Sequence, residues 1–576
     1  MTKPAASPLP RFGSDLPIDL NGFDRNLHAA IARYTAGLSP IALSQSWWDW
    51  AAHLAASPGR RLELMASAAT KTAAVLSSPS AGGYANKAAT DMRFDDETWR
   101  AWPFSFWAAA HKAQEEWWVD ATSGLHGQSA AHEKVNSFAV RQMLDMASPS
   151  NFFATNPEVQ HQTLHEGGQN LVRGAHHLQQ DLEQHLSGDP AADLSAFVVG
   201  DTVATTPGDV VFRNHLIELI RYAPSTATVQ PEPILLIPAW IMKYYILDLS
   251  PRNSLVRFLV EQGHTVYCIS WRNPGPDDRD LGMDDYLEQG VMAALDAIGQ
   301  DRPDSRIHAT GYCLGGTLLS IAAAAMGREG DDRLASVSLL AAQADFTEAG
   351  ELSLFINDSQ LALLEDMMWQ QGVLKAEQMA GTFQLLKSND LIWSRMLRDY
   401  MMGERSEPND LMAWNADTTR MPYRMHSEYL RRLYLNNDLA EGRFTVGGKP
   451  VALSNIRGPI FAVGTERDHV APWKSAYKIQ MLTDSDGTFV LASGGHNGGI
   501  LSEPGHPHRH FRIKTTSADA AYVGADDWKE QAKSQDGSWW VAWADWLGAR
   551  SSTPVEAADP QLASLGAAPG TYVFQE

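Results

Sequence analysis

Ile307-His-Ala-Thr-Gly-Tyr-Cys-Leu-Gly-Gly-Thr317 reads as a strand that runs into a tight turn and then into a helix. Ile307 to Thr310 has strand character, and Leu318 to Met326 is a small-residue helical run. Between them stands G-x-C-x-G, the form of a nucleophile elbow with Cys313 in place of serine. The turn is tight, so the residues two before and two after the nucleophile must be small. Gly311 and Gly315 meet that need, and Gly316 lets the helix pack closely on the sheet. At a helix N-terminus the dipole and the free amides favour a thiolate at Cys313. The backbone N–H of Leu314 is expected as one oxyanion donor. Cys268, inside the run Val266-Tyr-Cys-Ile269, reads as a structural thiol.

Outward from the elbow, strand-like and helical runs alternate. Phe197 to Val199, Val210 to Phe212, Ile234 to Ile237, Thr265 to Ser270 and Val337 to Leu340 read as strands. Leu255 to Gln262 and Met283 to Ile298 read as helices between them. Alternation of this kind predicts a mostly parallel, doubly wound α/β sheet, and with the elbow it predicts the α/β-hydrolase fold. The catalytic domain is expected over 196–550. A Met- and Leu-rich helical block at about 346–445 interrupts the alternation, as a cap insertion over the site would. The strands Pro459 to Val463 and Thr488 to Ala492 resume it. Residues 21–195 read as a helical N-terminal domain, divided at Ser39-Pro40, Ser148-Pro149 and Asn156-Pro157. Residues 1–20 read as a flexible arm, and 551–576 as an Ala-, Ser- and Pro-rich tail, mobile apart from Tyr572 and Phe574. The pairs Trp47-Trp48 and Trp117-Trp118 are either core or a surface that meets something apolar.

An elbow takes its acid and its histidine in that order, on loops after late strands. After Pro459 to Val463 comes Gly-Thr-Glu-Arg-Asp-His-Val-Ala-Pro472, with Asp468 as the acid. After Thr488 to Ala492 comes Ser-Gly-Gly-His-Asn-Gly-Gly499, with His496 between glycines as the base. Glu466 is an alternative orienter, and His469 can be a turn cap. The run His506, His508, His510 lacks the Cys or carboxylate cluster a metal site needs, so no metal is expected. The second oxyanion donor is assigned to the backbone N–H of Trp240, in the loop after Ile234 to Ile237.

Composition narrows the function. A chain of 576 residues with 44% hydrophobic and 20% charged residues is globular and long enough for two or three domains. Lys and Arg total 46 against 68 Asp and Glu, a formal charge of -22 that argues against a nucleic-acid partner. No run approaches the ~18 apolar residues of a membrane span. The start MTKPAASPLPRFG has no apolar core of a secretory signal, and two cysteines make no disulfide framework, so a cytoplasmic protein is expected. A cysteine nucleophile suits exchange between thioesters, because the acyl group stays activated on sulfur. The expected substrate is an acyl thioester and the acceptor something other than water.

Several motifs together resemble polyhydroxyalkanoate synthases, the class I enzymes most. They include Gly-Tyr-Cys-Leu-Gly-Gly-Thr317, Lys243-Tyr-Tyr-Ile-Leu-Asp-Leu-Ser-Pro251, Asn389-Asp-Leu-Ile-Trp393, Trp414-Asn-Ala-Asp417 and Asp468-His-Val-Ala-Pro-Trp473. The resemblance spans about residue 20 to the C-terminus. It implies polymerisation of (R)-3-hydroxyacyl-CoA, short-chain 3-hydroxybutyryl-CoA foremost, into a polyester with release of CoA. Carried over by motif, Cys313 is acylated, His496 is its base, and Asp468 is the third member, which also helps activate the incoming hydroxyl. His469, Asp248 and Trp414 are accessory candidates. The family implies no metal or prosthetic group, a homodimer with contacts through the cap, and a cytoplasmic site at polymer granules. The chain departs from the family's usual Ile-Ala-Gly after His496, reading Asn497-Gly-Gly499, and has Lys387 where many members have Arg-Pro before Asn-Asp. An anionic CoA substrate predicts a basic mouth from among Lys243, Arg252, Arg272 and Lys387. Competing readings are a cysteine acyl-CoA thioesterase on the same scaffold and a non-catalytic granule-associated protein.

Overall fold

The computed structural model describes residues 20–77, 83–187, 194–379, 381 and 392–576. The arm, Leu20 apart, and Lys387 lie outside the described residues. The core is a ten-stranded sheet. Its strands are β1 (Gly208–Arg213), β2 (Ile217–Tyr222), β3 (Ile234–Ile237), β4 (Val266–Trp271), β5 (Ile307–Tyr312), β6 (Leu334–Leu340), β7 (Ile460–Thr465), β8 (Gly487–Ala492), β9 (His510–Thr516) and β10 (Lys533–Asp536). They lie in the order β1-β2-β4-β3-β5-β6-β7-β8-β9-β10. From β4 to β8 the pairing is parallel. Antiparallel strands close both flanks.

The parallel strands are rich in apolar residues and buried almost throughout, because both of their faces are covered. On β3, Leu235 and Ile237 join the core under one helical layer, and Ile234 and Leu236 the core under the other; all four are fully buried. Full burial of such a side chain contributes roughly 1.5–3 kcal/mol. The sheet is therefore doubly wound, the α/β-hydrolase architecture expected from the alternation.

Several elements differ from the sequence reading. Phe197 to Val199 is not a strand: Gly200 has φ 86°, Thr202 Oγ1 accepts the Val198 amide, and only a bridge from Val199 to Val203 remains. β2 escaped notice because it carries Glu218 and Arg221, both buried. Glu218 accepts the amides of Thr571 (2.8 Å) and Tyr572 (2.9 Å), so the carboxylate is satisfied by the tail. The tail itself is bound, not mobile. Val555–Glu556 pairs with Thr228–Val229, and Val210 exchanges backbone hydrogen bonds with Leu565 and Gly566. The Trp-rich helix Trp539–Gly548 buries Trp539, Trp540, Trp543 and Trp546 against the sheet.

The N-terminal region consists of α1 (Leu20–Tyr34), α2 (Pro40–Ala55), α3 (Pro58–Ser77), α4 (Gly83–Ala89), α5 (Phe104–Thr122), α6 (Ala130–Met146), α7 (Pro157–His165) and α8 (Gln169–Ser187). The Ser-Pro and Asn-Pro breaks are helix starts. Ser39 and Asn156 are N-caps accepting the amides of Ala42 and Val159, with proline in the first turn. The tryptophans divide: Trp99 is core, whereas Trp48 and Trp102 are 77% and 75% exposed. Between β6 and β7 the chain forms the cap, including the helices Asp358–Gln371 and Tyr423–Tyr429. α1 docks on the first of these: Asp366 holds His28 at 2.7 Å and Arg25 at 3.4 Å, and Arg33 donates to Gln370 at 2.7 Å. α8 docks on the cap through Asn170 to the Met401 carbonyl (2.8 Å) and Asp181 to Arg405 (2.8 Å).

Candidate active site

The parallel strands end on one edge of the sheet, where open α/β sheets place their sites. Cys313 follows β5 and caps the helix Leu314–Glu329 with φ 53° and ψ −122°. For a residue with a Cβ this backbone costs of the order of 1–3 kcal/mol, and the neighbours hold it there. The Cys313 amide donates to the Leu340 carbonyl at 2.9 Å, tying the turn to β6. A Cβ on Gly311 would strike Gly316 Cα, and one on Gly315 would strike the Ile237 carbonyl. Close approach of helix to strand is thus why both positions are glycine.

Asp468 follows β7 and His496 follows β8. Asp468 Oδ2 lies 2.8 Å from His496 Nδ1 and accepts from Thr465 Oγ1 at 3.1 Å. Its Oδ1 accepts the amides of Val470 (2.9 Å) and Ala471 (2.8 Å). Burial alone would raise the pKa of this carboxyl, but the charge and hydrogen bond of His496 and the two amides lower it overall. An ionised carboxylate only accepts, so Nδ1 carries a proton and Nε2 is left for Cys313. Burial disfavours the imidazolium, yet Cys313, then Asp468, outweigh it and hold His496 up at about 10. The Tyr312 ring lies against the imidazole, 5.8 Å between centroids, and its hydroxyl donates to Asn497 Oδ1 at 2.6 Å.

Cys313 opens onto a cavity of about 570 Å³. Leu314, Ile241, Val470 and Ala471 are among its lining residues. The cap supplies Phe346, Leu364, Met367, Tyr429 and Tyr434, and α1 with the turn after it supplies Ala32, Arg33, Ala36 and Leu38. Tyr429 and Tyr434 rings lie 5.4 Å apart, edge to face. Sequence reading missed these two tyrosines and the α1 wall, since neither sits in a motif with a chemical signature.

The structure thus brings Cys313, His496, Asp468 and Leu314 together. Other candidates lie elsewhere. The Trp240 indole packs against Trp271 and Tyr286 outside the cavity lining, while the next residue, Ile241, lines the wall, so only the backbone of this turn remains an oxyanion candidate. Asp248 is buried, bonded to Thr206 and to Ser254 (2.7 Å), and is spent on holding that loop. Trp414 Nε1 donates to the Lys243 carbonyl at 2.8 Å, pinning the cap to the loop after β3. His469 is half-buried beside the acid, its carbonyl against Gly350 of the cap, and does not line the cavity. Glu466 faces His510 at 3.5 Å, not His496. Among the described residues no group of three or more His, Cys, Asp or Glu could hold a metal ion.

The three described candidates for a basic mouth, Lys243, Arg252 and Arg272, do not line the cavity. Lys243 is buried and bonded to the Gln575 carbonyl, burial lowering its pKa. Arg272 is paired with Asp278 at 3.2 Å, and Arg252 is exposed away from the cavity. Among the described residues lining the cavity, Arg33 of α1 is the only Lys or Arg. No helix among the described residues is long and apolar enough to cross a membrane.

Comparison with known proteins agrees with this arrangement over most of the chain. Residues 19–60 and 90–259 match families described as poly-beta-hydroxybutyrate polymerase N terminal and N-terminus, and residues 232–502 match the alpha/beta hydrolase fold. The chain is 41% identical over 492 residues to the poly(3-hydroxyalkanoate) polymerase of Methylorubrum extorquens, covering 84% of this chain and 80% of that one. It is 36% identical over 497 residues to the polymerase subunit of Rhizobium meliloti, covering 85% and 80%. With that of Cupriavidus necator the identity is 35% over 494 residues, covering 84% and 83%. Family matches that take in the first helices, the elbow, the acid loop and the histidine loop, with relatives aligned over more than four fifths of the chain, leave one assignment: the chain belongs to the poly(3-hydroxyalkanoate) polymerases, which are acyltransferases.

Proposed function

We propose that this polymerase acts on (R)-3-hydroxyacyl-CoA of short chain, 3-hydroxybutyryl-CoA foremost, through a polyester thioester on Cys313. One observation carries the reading: a strained cysteine at a helix N-terminus lines a largely apolar cavity and interacts with a carboxylate-braced histidine. With the proton held on His496, the Cys313 sulfur attacks the thioester carbonyl. The amide of Leu314 and one from the Trp240–Ile241 turn receive the charge that develops on oxygen. The C–S bond to CoA breaks, His496 delivers its proton to the leaving sulfur, and the acyl group stays on Cys313. A 3-hydroxyl then attacks an acyl thioester. His496, oriented by Asp468, takes the hydroxyl proton, and a C–O bond replaces a C–S bond. Each elongation turns a thioester into a more stable oxygen ester, which drives the chain forward. No metal or prosthetic group enters this scheme. The macromolecular partners are the growing polyester and its granule surface in the cytoplasm, with a second copy of the chain across the cap.

The deciding experiment incubates the purified protein with (R)-3-hydroxybutyryl-CoA, follows CoA release, and identifies the acyl product, with Cys313→Ala alongside. Insoluble polyester from the wild type alone is the expected result. Soluble 3-hydroxybutyrate would replace the reading by a thioesterase. Turnover confined to longer monomers would overturn the chain-length assignment only.

A further inference from the structure

We propose that the hydrogen bond between Tyr312 and Asn497 sets His496 against Cys313, making both positioning residues for the acyl transfer. The inference rests on the catalytic reading of Cys313 and His496 given above.

A single hydrogen bond fixes one point of an imidazole. The Nδ1 contact with Asp468 leaves the ring free to swing about that point, carrying Nε2 toward or away from the sulfur. Tyr312 supplies the second point. It is the last residue of β5, next to Cys313, and is 2% exposed. Its ring lies on the imidazole at 32°. Its own rotation is arrested by the 2.6 Å bond to Asn497. Asn497 is in turn anchored by its backbone carbonyl, which accepts the amides of Ile500 (3.0 Å) and Leu501 (2.9 Å). The bond therefore joins the residue before the nucleophile to the residue after the base, and fixes the spacing of the two loops that carry them.

The phenol is suited to this task. Burial, then the neighbouring Cys313 and Asp468, push its pKa well above the ordinary value, so it remains a donor throughout. The titratable groups facing His496 are Cys313, Asp468 and Tyr312 itself, while Tyr429 and Tyr434 face Cys313 from the cap.

The test compares Tyr312→Phe, Asn497→Leu and the double variant. Three quantities are measured: the urea midpoint, kcat and KM for (R)-3-hydroxybutyryl-CoA, and the pH dependence of Cys313 alkylation by iodoacetamide. Alkylation is read by peptide mass, with buried Cys268 as the internal reference. Asn497→Leu strands a buried hydroxyl and lowers the midpoint, and the double variant recovers it because both partners are gone. The positioning role predicts that kcat does not recover: it stays down by about tenfold to a hundredfold in all three, with KM little changed. The alkylation profile is displaced in all three as well. Recovery of kcat together with stability in the double variant would reduce the pair to packing and overturn the proposal. So would an alkylation profile unchanged in all three. Tyr312→Phe removes only an oxygen, so the test survives if Asn497→Leu does not fold. If the wild type fails to turn over hydroxyacyl-CoA, the substrate reading fails, while alkylation still reports on the pair.

Discussion

Asp468 Oδ2 lies 2.8 Å from His496 Nδ1, while the other oxygen of the same carboxylate is claimed by the amides of Val470 and Ala471. The carboxylate cannot rotate without abandoning two backbone donors in a buried site. Its direction, and with it the tautomer of His496, is set by the loop and not by the histidine.

Asp468→Asn is therefore expected to fail in a specific way. The amide oxygen will satisfy Val470 and Ala471, which turns the NH2 group toward His496 Nδ1. That nitrogen must then accept, and its proton moves to Nε2, where it faces Cys313. The expected loss in kcat is about 10³–10⁴-fold with the fold intact. A loss below tenfold, measured with matched circular dichroism, would remove Asp468 from the triad.

Cys313→Ala removes the sulfur and with it the largest influence that raises His496. Burial, which lowers the pKa, and Asp468, which raises it, remain. The imidazole is expected to fall from about 10 toward or below its ordinary 6.5, read by NMR titration of ring-labelled histidine. Turnover should drop by about 10³-fold or more. An unchanged titration would mean that the sulfur and the imidazole do not share charge.

The same pairing has a stability consequence at alkaline pH. His496 has a folded pKa of about 10 against about 6.5 for an ordinary histidine. Its contribution is fully present below the unfolded value and disappears as pH rises toward 10. Denaturant midpoints should therefore fall between pH 6.5 and 10 in the wild type, and fall less in Cys313→Ala. Asp468 acts in the opposite sense: its lowered pKa stabilises above the ordinary carboxyl value and is lost as pH falls through the folded one. Parallel alkaline slopes for wild type and variant would contradict the assignment.

The sheet was legible where chemistry and periodicity coincide. β5 and β8 run straight into glycine-rich loops that carry Cys313 and His496, and β7 into the loop that carries Asp468, so strand, turn and site residue could be read from one segment. β2 was hidden by Glu218 and Arg221, whose partners Thr571, Tyr572 and Asp301 lie far away in the chain. The bound tail was hidden for the same reason, because its low apolar content says nothing of backbone pairing with Val210. Long-range polar satisfaction leaves no local pattern. The cavity wall shows the limit most clearly. Ala32 is simply a helical alanine until α1 is docked on the cap.

That wall leads to a prediction about monomer size. Ala32 is fully buried on α1 and lines the cavity that contains Cys313. α1 cannot easily retreat, because Asp366 of the cap holds both His28 and Arg25. Ala32→Leu therefore puts its extra carbons into the cavity and not into a displaced helix. Monomers with longer side chains should suffer more than 3-hydroxybutyryl-CoA, since the smaller acyl group still fits the remaining space. Discrimination by a few methylene groups in an apolar pocket amounts to about tenfold or more. The measurement is the ratio of kcat/KM for 3-hydroxyhexanoyl-CoA to that for 3-hydroxybutyryl-CoA, in wild type and variant. A fall in this ratio would make the N-terminal helix part of the acyl site. If both substrates decline equally, the substitution has loosened the dock between α1 and the cap, and the wall is not where monomer size is read.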